Sequence, residues 1–285
     1  MKVESIKKWD LKAVAPFITK FVMPDPDANI LYHYTSVDAL FGGILVKDSP
    51  QPNKEICLWG TNCLYMNDPE ELNTGIKLAH EVLNIPLDKS IELLREQAKN
   101  NLCLVSFSSA IDCLPMWGMY GKNGHGLAIG FDTSVLEKTF SLFKCIYATE
   151  ANKEWLKREI SKLMAESEDW WKQSEGENIL SKIFESTGNM LSIYILLWVL
   201  GKNPAYEYEQ EVRWLFPVQN GIKYRLRDNL IVPYVEQYLP KSAIKEIWIG
   251  PTNDMDRATR SLRTYLDHMG FNEVEIKQSE VPYRE

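Results

Sequence analysis

The segment Tyr206-Glu-Tyr-Glu-Gln-Glu-Val-Arg-Trp214 holds the densest candidate chemistry in the chain. In a strand, alternate side chains share a face. One face then carries Tyr206, Tyr208, Gln210, Val212 and Trp214, and the other carries Glu207, Glu209, Glu211 and Arg213. A solvated edge strand tolerates such a row. Neighbouring carboxylates repel, however, and strands disfavour Glu, so the row invites a chemical reason. Stabilising a cation is one. A second segment, Leu31-Tyr-His-Tyr-Thr-Ser36, sets the His33 imidazole beside hydroxyls at a strand end, where both can face a polyhydroxylated ligand. A third, Val105-Ser-Phe-Ser-Ser109, turns Ser106 and Ser108 to one side, and buried hydroxyls there need backbone or ligand partners. A fourth, Met116-Trp117-Gly-Met-Tyr120, places aromatics at helical spacing before the Gly-rich turn Gly121–Gly126, as core or as a stacking lid. Those glycines fit neither the dinucleotide nor the triphosphate loop. His80, His125 and His268 show no metal-ligand spacing, so no metal site is expected.

These groups need elements to hold them. The apolar pattern predicts strands over 30–34, 57–60, 102–108, 126–131, 143–147, 206–216, 224–226, 230–232, 244–249 and 274–277. It predicts an amphipathic opening helix within 1–28, a helix Val37–Leu45 capped by Ser36, and helical pattern over 70–101 with a break at Pro86. Further helices are expected over Ile111–Tyr120 and from about Asp254 to Met269, with a turn at Asn67-Asp68-Pro69. Residues 150–200 carry dense mixed charge with Trp and Leu interleaved, which suits two long helices inserted between strands. Hairpin-like and crossover connections alternate outside that insert, so the expected class is α+β around a mixed sheet.

Composition limits the function classes. The chain has 285 residues, 45 % of them hydrophobic, which excludes a disordered polymer. A net charge of −7 argues against a protein that works by unspecific attraction to phosphates. The five cysteines contain no C-x-x-C pair and read as scattered thiols of a reducing compartment. The apolar run Met190–Leu200 is well short of the roughly 20 residues that cross a bilayer, so a cytoplasmic protein without a membrane partner is expected.

The order of the motifs carries more than any one of them. A strand with His-Tyr-Thr at His33–Thr35, one with Ser-Phe-Ser at Ser106–Ser108 and one with Glu-Gln-Glu at Glu209–Glu211 resemble the ADP-ribosyltransferase superfamily. From about residue 30 to 250 the chain also resembles an uncharacterised bacterial domain family. Its marks stand here at His33–Ser36, Met66–Glu70, Ser106–Ser108, Met116–Tyr120 and Glu209–Arg213. The resemblance implies one domain over 1–285, with a split sheet core, flanking helices and 150–200 as a helical insertion. It implies NAD as substrate, with His33 on a ribose hydroxyl and Thr35 supporting the nicotinamide or adenosine end. Ser106 and Ser108 would brace the site, and Tyr120, Trp117 or Tyr34 would stack on nicotinamide. Glu211 would be the essential carboxylate, Glu209 would position the acceptor, and Arg213 would pair the diphosphate or neutralise Glu211. A His-type first motif here joins Ser-x-Ser and Glu-x-Glu elements of the Arg-type branch, which leaves the acceptor open.

The resemblance implies transfer of ADP-ribose to a macromolecule, nucleic acid or protein, by a toxin or phage-defence effector with an antitoxin-like regulator. For a nucleic-acid acceptor, Arg257, Arg260 and Arg263 form a basic stripe at helical spacing, although a solvated helix face shows the same pattern. The same chemistry would serve an NAD glycohydrolase, with water as acceptor. A third class is a binding module whose polar strand recognises a ligand or partner without catalysis.

Overall fold

In the computed structural model, residues 29–66, 71–84, 102–139, 142–173, 193–218, 221–227, 229–251 and 254–282 are described. Strand β1 (Ile30–Thr35) leads into a helical turn, Val37–Ala39, capped by Ser36 as expected: Ala39 N, the third amide of the turn, donates to Ser36 Oγ at 3.1 Å. The turn widens through Leu40–Ile44 and is followed by β2 (Ile56–Asn62) and helix α1 (Glu71–Leu83). Strand β3 (Leu102–Ser108) precedes helix α2 (Leu114–Met119), where Pro115 sits in the first turn and costs no helical hydrogen bond. Strand β4 (Leu127–Asp132), helix α3 (Thr133–Thr139), β5 (Leu142–Lys144), β6 (Ile146–Tyr147) and helix α4 (Glu150–Gln173) come next. Helix α5 (193–200) and β7 (Gly201–Lys202) lead to a 3₁₀ turn, Pro204–Glu209. The chain then forms β8 (Glu211–Pro217), β9 (Lys223–Arg227), β10 (Leu230–Leu239), β11 (Ile244–Ile249), helix α6 (Met255–Met269) and β12 (Glu275–Gln278). The opening helix, the Asn67–Pro69 turn, the Pro86 break and the middle of the 150–200 insert lie outside the described residues.

This is an α+β fold whose main sheet is mostly antiparallel. The chain divides into two compact units. Among the described residues, the smaller unit holds α1, α4, α5, β6 and β7, so the helices expected as an insertion share a unit with Glu71–Leu83. Residues 194–200 are buried there, and the backbone of Gly75 lies so close to the Trp198 carbonyl that a side chain would collide with it. Lys153 and Glu81 tie α4 to α1 at 3.0 Å.

The larger unit holds a ten-stranded sheet in the order β12-β11-β4-β1-β3-β2-β10-β9. Strand β8 pairs with β3 and β5, so β3 has three neighbours and the sheet forks at it. β1 meets β3 at Tyr32 opposite Ser108, while β2 meets the start of β3 at Thr61 opposite Leu104. The pair β11–β12 is parallel. Central strands are buried on both faces, which explains their nearly continuous apolar sequence. On one face Leu31, Phe107, Ile129, Phe131 and Ile247 pack with Leu262 and Leu266 of α6. On the other, Tyr32, Tyr34 and Ala128 pack with Met116 and Trp117 of α2. Each such large side chain contributes about 1.5–3 kcal/mol on burial. Helix α6 starts at Asp254, which accepts from Arg257 N at 3.1 Å, and stops at Gly270 with φ of 75°.

Three expected strands need correction. Tyr206–Glu209 is a 3₁₀ turn and the strand begins at Glu211, so the alternating row of carboxylates does not exist as one strand face. Phe143–Tyr147 is two strands, β5 in the large sheet and β6 paired with β7. Strand β10 runs on through Pro233 to Leu239, well past Val232.

Candidate functional site

Strands β1, β3 and β8 lie side by side in the larger unit, which brings the three motif segments together. The His33 ring is half-buried beside the Phe107 ring, centroid to centroid 6.1 Å, and its Nδ1 lies 2.9 Å from the Ser106 carbonyl. A carbonyl only accepts, so Nδ1 carries the proton and the neutral ring presents a lone pair at Nε2. Burial lowers the His33 pKa below its ordinary value, the Ser106 carbonyl opposes this, and the Arg225 charge adds to the lowering. The Ser106 hydroxyl is itself buried and has no hydrogen-bond partner among the described residues. Ser108 is 1 % exposed and its hydroxyl donates to the Glu209 carbonyl, which pins β3 to the approach of β8.

The two carboxylates of the third motif are held apart. Gln210 between them adopts φ of 42°, a left-handed conformation that costs a non-Gly residue about 1–2 kcal/mol. Its backbone carbonyl accepts from Ser109 N at 3.1 Å, and its side chain accepts from Ser109 Oγ at 3.0 Å. Before it, Glu209 is buried and accepts from Tyr120 Oη at 2.9 Å. After it, Glu211 is gripped by Arg213, Nε to Oε1 at 2.9 Å and Nη2 to Oε2 at 2.8 Å. Both partners are almost wholly enclosed, at 5 % and 1 % exposure. A strained residue between two buried, individually held carboxylates is the kind of backbone outlier that clusters at working sites.

Several sequence-derived roles change. Trp117 is 0 % exposed, packs edge-on against Tyr34 at 4.9 Å and donates its indole N–H to Asp112 at 2.8 Å, so it offers no face for stacking. Tyr34 is buried too, its hydroxyl donates to the Ala110 carbonyl at 3.0 Å, and burial raises its pKa to about 12; it is core. Arg213 is committed to Glu211 and enclosed, which selects neutralisation over diphosphate contact. Tyr120 remains half-exposed at the end of α2, joined to Glu209. Thr35 ends β1 opposite Leu127. In the basic stripe, Arg263 donates to the Val274 and Phe271 carbonyls, both at 2.8 Å, and serves the fold, while Arg257 and Arg260 stay exposed.

One cation had no place in the motifs. Arg225, on β9, donates Nη2 to Thr61 Oγ1 at 2.8 Å and lies over the Trp59 and Tyr234 rings, 5.4 and 5.8 Å from their centroids. Those rings pack against one another with centroids 4.8 Å apart and planes tilted by 33°. The Arg225 Nε is buried and has no hydrogen-bond partner among the described residues. The available signal was Lys223-Tyr-Arg-Leu-Arg227, which alternates bases along a strand.

Comparison with known proteins adds a partial family likeness. A family described as "Protein of unknown function (DUF2971)" matches residues 116–214. The matched stretch takes in Met116–Tyr120 and Glu209–Arg213, and it leaves His33–Ser36 and Ser106–Ser108 outside. No curated protein and no solved structure matches the chain. Among the described residues no helix is long and apolar enough to cross a membrane.

Proposed function

We propose that the chain is an NAD-dependent ADP-ribosyltransferase whose site lies where the sheet forks at β3. The observation that carries this reading is the convergence there of His33 on the Ser106 carbonyl and of Ser108 on the Glu209 carbonyl. Residues more than 70 and 100 positions apart thus share one strand junction, in the motif order of the superfamily. The reading also suits the fork itself, since a split sheet is what the resemblance implies.

The chemistry follows from the groups present. Cleavage of the nicotinamide–ribose bond leaves positive charge on the sugar carbon and its ring oxygen, as in glycoside cleavage. A carboxylate fixed before the reaction stabilises that charge more in the transition state than in the ground state. Arg213 fixes the plane of the Glu211 carboxylate in this way, so that no reorganisation is needed during the step. The bonding pair leaves with nicotinamide, which departs neutral and requires no proton. The acceptor's nucleophile forms the new bond to the sugar carbon, and its proton passes to Glu209, whose orientation Tyr120 sets. His33 accepts a ribose hydroxyl hydrogen at Nε2.

Incubation of purified protein with NAD, alone and then with cell RNA, DNA or protein, tests the reading by mass spectrometry. ADP-ribose added to one macromolecular class is the expected product. Free ADP-ribose without any added label assigns water as the acceptor, and intact NAD in every arm refutes the reading.

A further inference from the structure

Arg225 is a preorganised cation whose charge the sheet does not use. Its guanidinium lies 5.4 and 5.8 Å from the Trp59 and Tyr234 ring centroids and donates Nη2 to Thr61 Oγ1 at 2.8 Å, so two aromatic rings and one hydroxyl hold it. No carboxylate pairs with it among the described residues, whereas Lys223 on the same strand is paired with Glu236 at 2.7 Å. Arg227 on the same strand repels it, and burial and this repulsion both weaken its hold on a proton. Its Nε, on the same edge as the tethered Nη2, is a buried donor that has no acceptor among the described residues. An unmet buried donor is costly, and a planar edge of N–H groups matches the oxygens of a phosphate in a way a lysine cannot. Thr61, which tethers Arg225, lies opposite Leu104 on β3, two residues before the Ser106 whose carbonyl holds the His33 ring, and the Arg225 charge helps lower the His33 pKa. The buried Ser106 hydroxyl on that stretch of β3 also has no partner among the described residues.

We infer that Arg225, Thr61 and His33 form a receptor for a ribose phosphate, with Arg225 taking phosphate oxygens and the His33 Nε2 accepting a sugar hydroxyl. The inference rests on the ADP-ribosyltransferase reading only for the step that makes the ligand NAD's own diphosphate; as a receptor it binds nucleoside phosphates. It also replaces the diphosphate role that Arg213 cannot fill. A free phosphate lacks the hydroxyl for His33, and a nucleoside lacks the anion for Arg225, so both parts are needed for full affinity.

Calorimetry with ADP, adenosine and inorganic pyrophosphate as probes tests this on the full chain. Wild type is expected to bind ADP about tenfold to a hundredfold more tightly than adenosine, the range of one charged hydrogen-bonded contact. Arg225→Gln is expected to erase that preference, and Arg225→Lys, which keeps the charge and the aliphatic stem but loses Nε, to retain part of it. His33→Ala is expected to weaken ADP and leave pyrophosphate unchanged. Equal affinity of wild type for ADP and adenosine, binding of neither, or a full ADP preference in Arg225→Gln overturns the inference. If NAD stays intact while the Arg225-dependent preference holds, the transferase reading fails and the receptor stands. If NAD is cleaved by Arg225→Gln with unchanged KM, the receptor fails and the transferase reading stands.

Discussion

Replacing Glu211 by Gln is the obvious test of a catalytic carboxylate, but the buried pair with Arg213 makes it a test of stability as well. At 5 % and 1 % exposure neither charge has water to fall back on. In Glu211→Gln the new side-chain amide would turn an N–H₂ group toward the Arg213 donors and leave the guanidinium charge unbalanced. Breaking one side of such a pair costs about 3–5 kcal/mol, and removing both sides in favour of apolar atoms of similar volume is often neutral or stabilising. Glu211→Gln and Arg213→Met are therefore expected to lose about 3–5 kcal/mol each. The double variant carries neither charge but keeps one buried amide without its partner, so it is expected to recover about half of that loss, about 3–8 °C in Tm relative to either single variant. Thermal unfolding gives the stability arm, and nicotinamide release from NAD at a temperature where all four proteins are folded gives the activity arm. If Glu211 stabilises the developing sugar cation, the stable double variant stays about 10²–10³ below wild type. Recovery of both stability and activity in the double variant would assign the pair to the fold alone. A double variant that loses the sum of the two single losses would show that the two groups are not energetically coupled, and the pairing argument would fall.

Other consequences are open to simple measurement. Tyr120→Phe removes one hydrogen bond to Glu209 and should cost about 0.5–1.5 kcal/mol in urea unfolding, with nicotinamide release also reduced; unchanged values in both would detach Tyr120 from the site. Gln210→Val places a β-branched residue at φ of 42° and should destabilise by about 1–3 kcal/mol, whereas Gln210→Gly should lose less. Folding lowers the His33 pKa, so between that value and the unfolded value of about 6.5 the unfolded chain binds more protons. Stability should therefore fall as pH drops below about 6.5, level off below the folded pKa, and depend less on pH in His33→Gln. A pH profile identical in the two proteins would contradict the burial of a neutral ring.

Much of the framework was legible because apolar runs and their boundaries coincide. Leu102–Ser108 and Ile244–Ile249 are strands over the expected residues, since buried-type runs there end at polar or turn residues. The failures have local physical causes. Asn203-Pro204 starts a helical turn, with Asn203 Oδ1 accepting from Ala205 N at 2.9 Å, and that capping signal overrides the alternation of Tyr206 and Tyr208. The strand expected over 230–232 stops short of Pro233, yet β10 carries that proline in mid-strand opposite Tyr224. Cys145 separates two short strands that join different sheets, and nothing in Phe143–Tyr147 announces the switch. For the site, residue types within one segment pointed to His33, Ser108 and Glu209. Arg225 could not be found this way, because what distinguishes it comes from Trp59, Thr61 and Tyr234, more than 160 positions away in the case of Thr61. The buried state of Trp117 and the commitment of Arg213 to Glu211 are likewise tertiary facts, invisible in spacing.

Nicotinamide release by the wild-type protein reports cleavage of the nicotinamide–ribose bond of NAD at the proposed site where the sheet forks at β3. With NAD and a lysate that supplies acceptors, free nicotinamide is expected to accumulate in proportion to enzyme and to be lost with the folded Glu211→Gln/Arg213→Met protein. Nicotinamide that stays bound to ribose under those conditions, with the protein folded, would contradict that proposal.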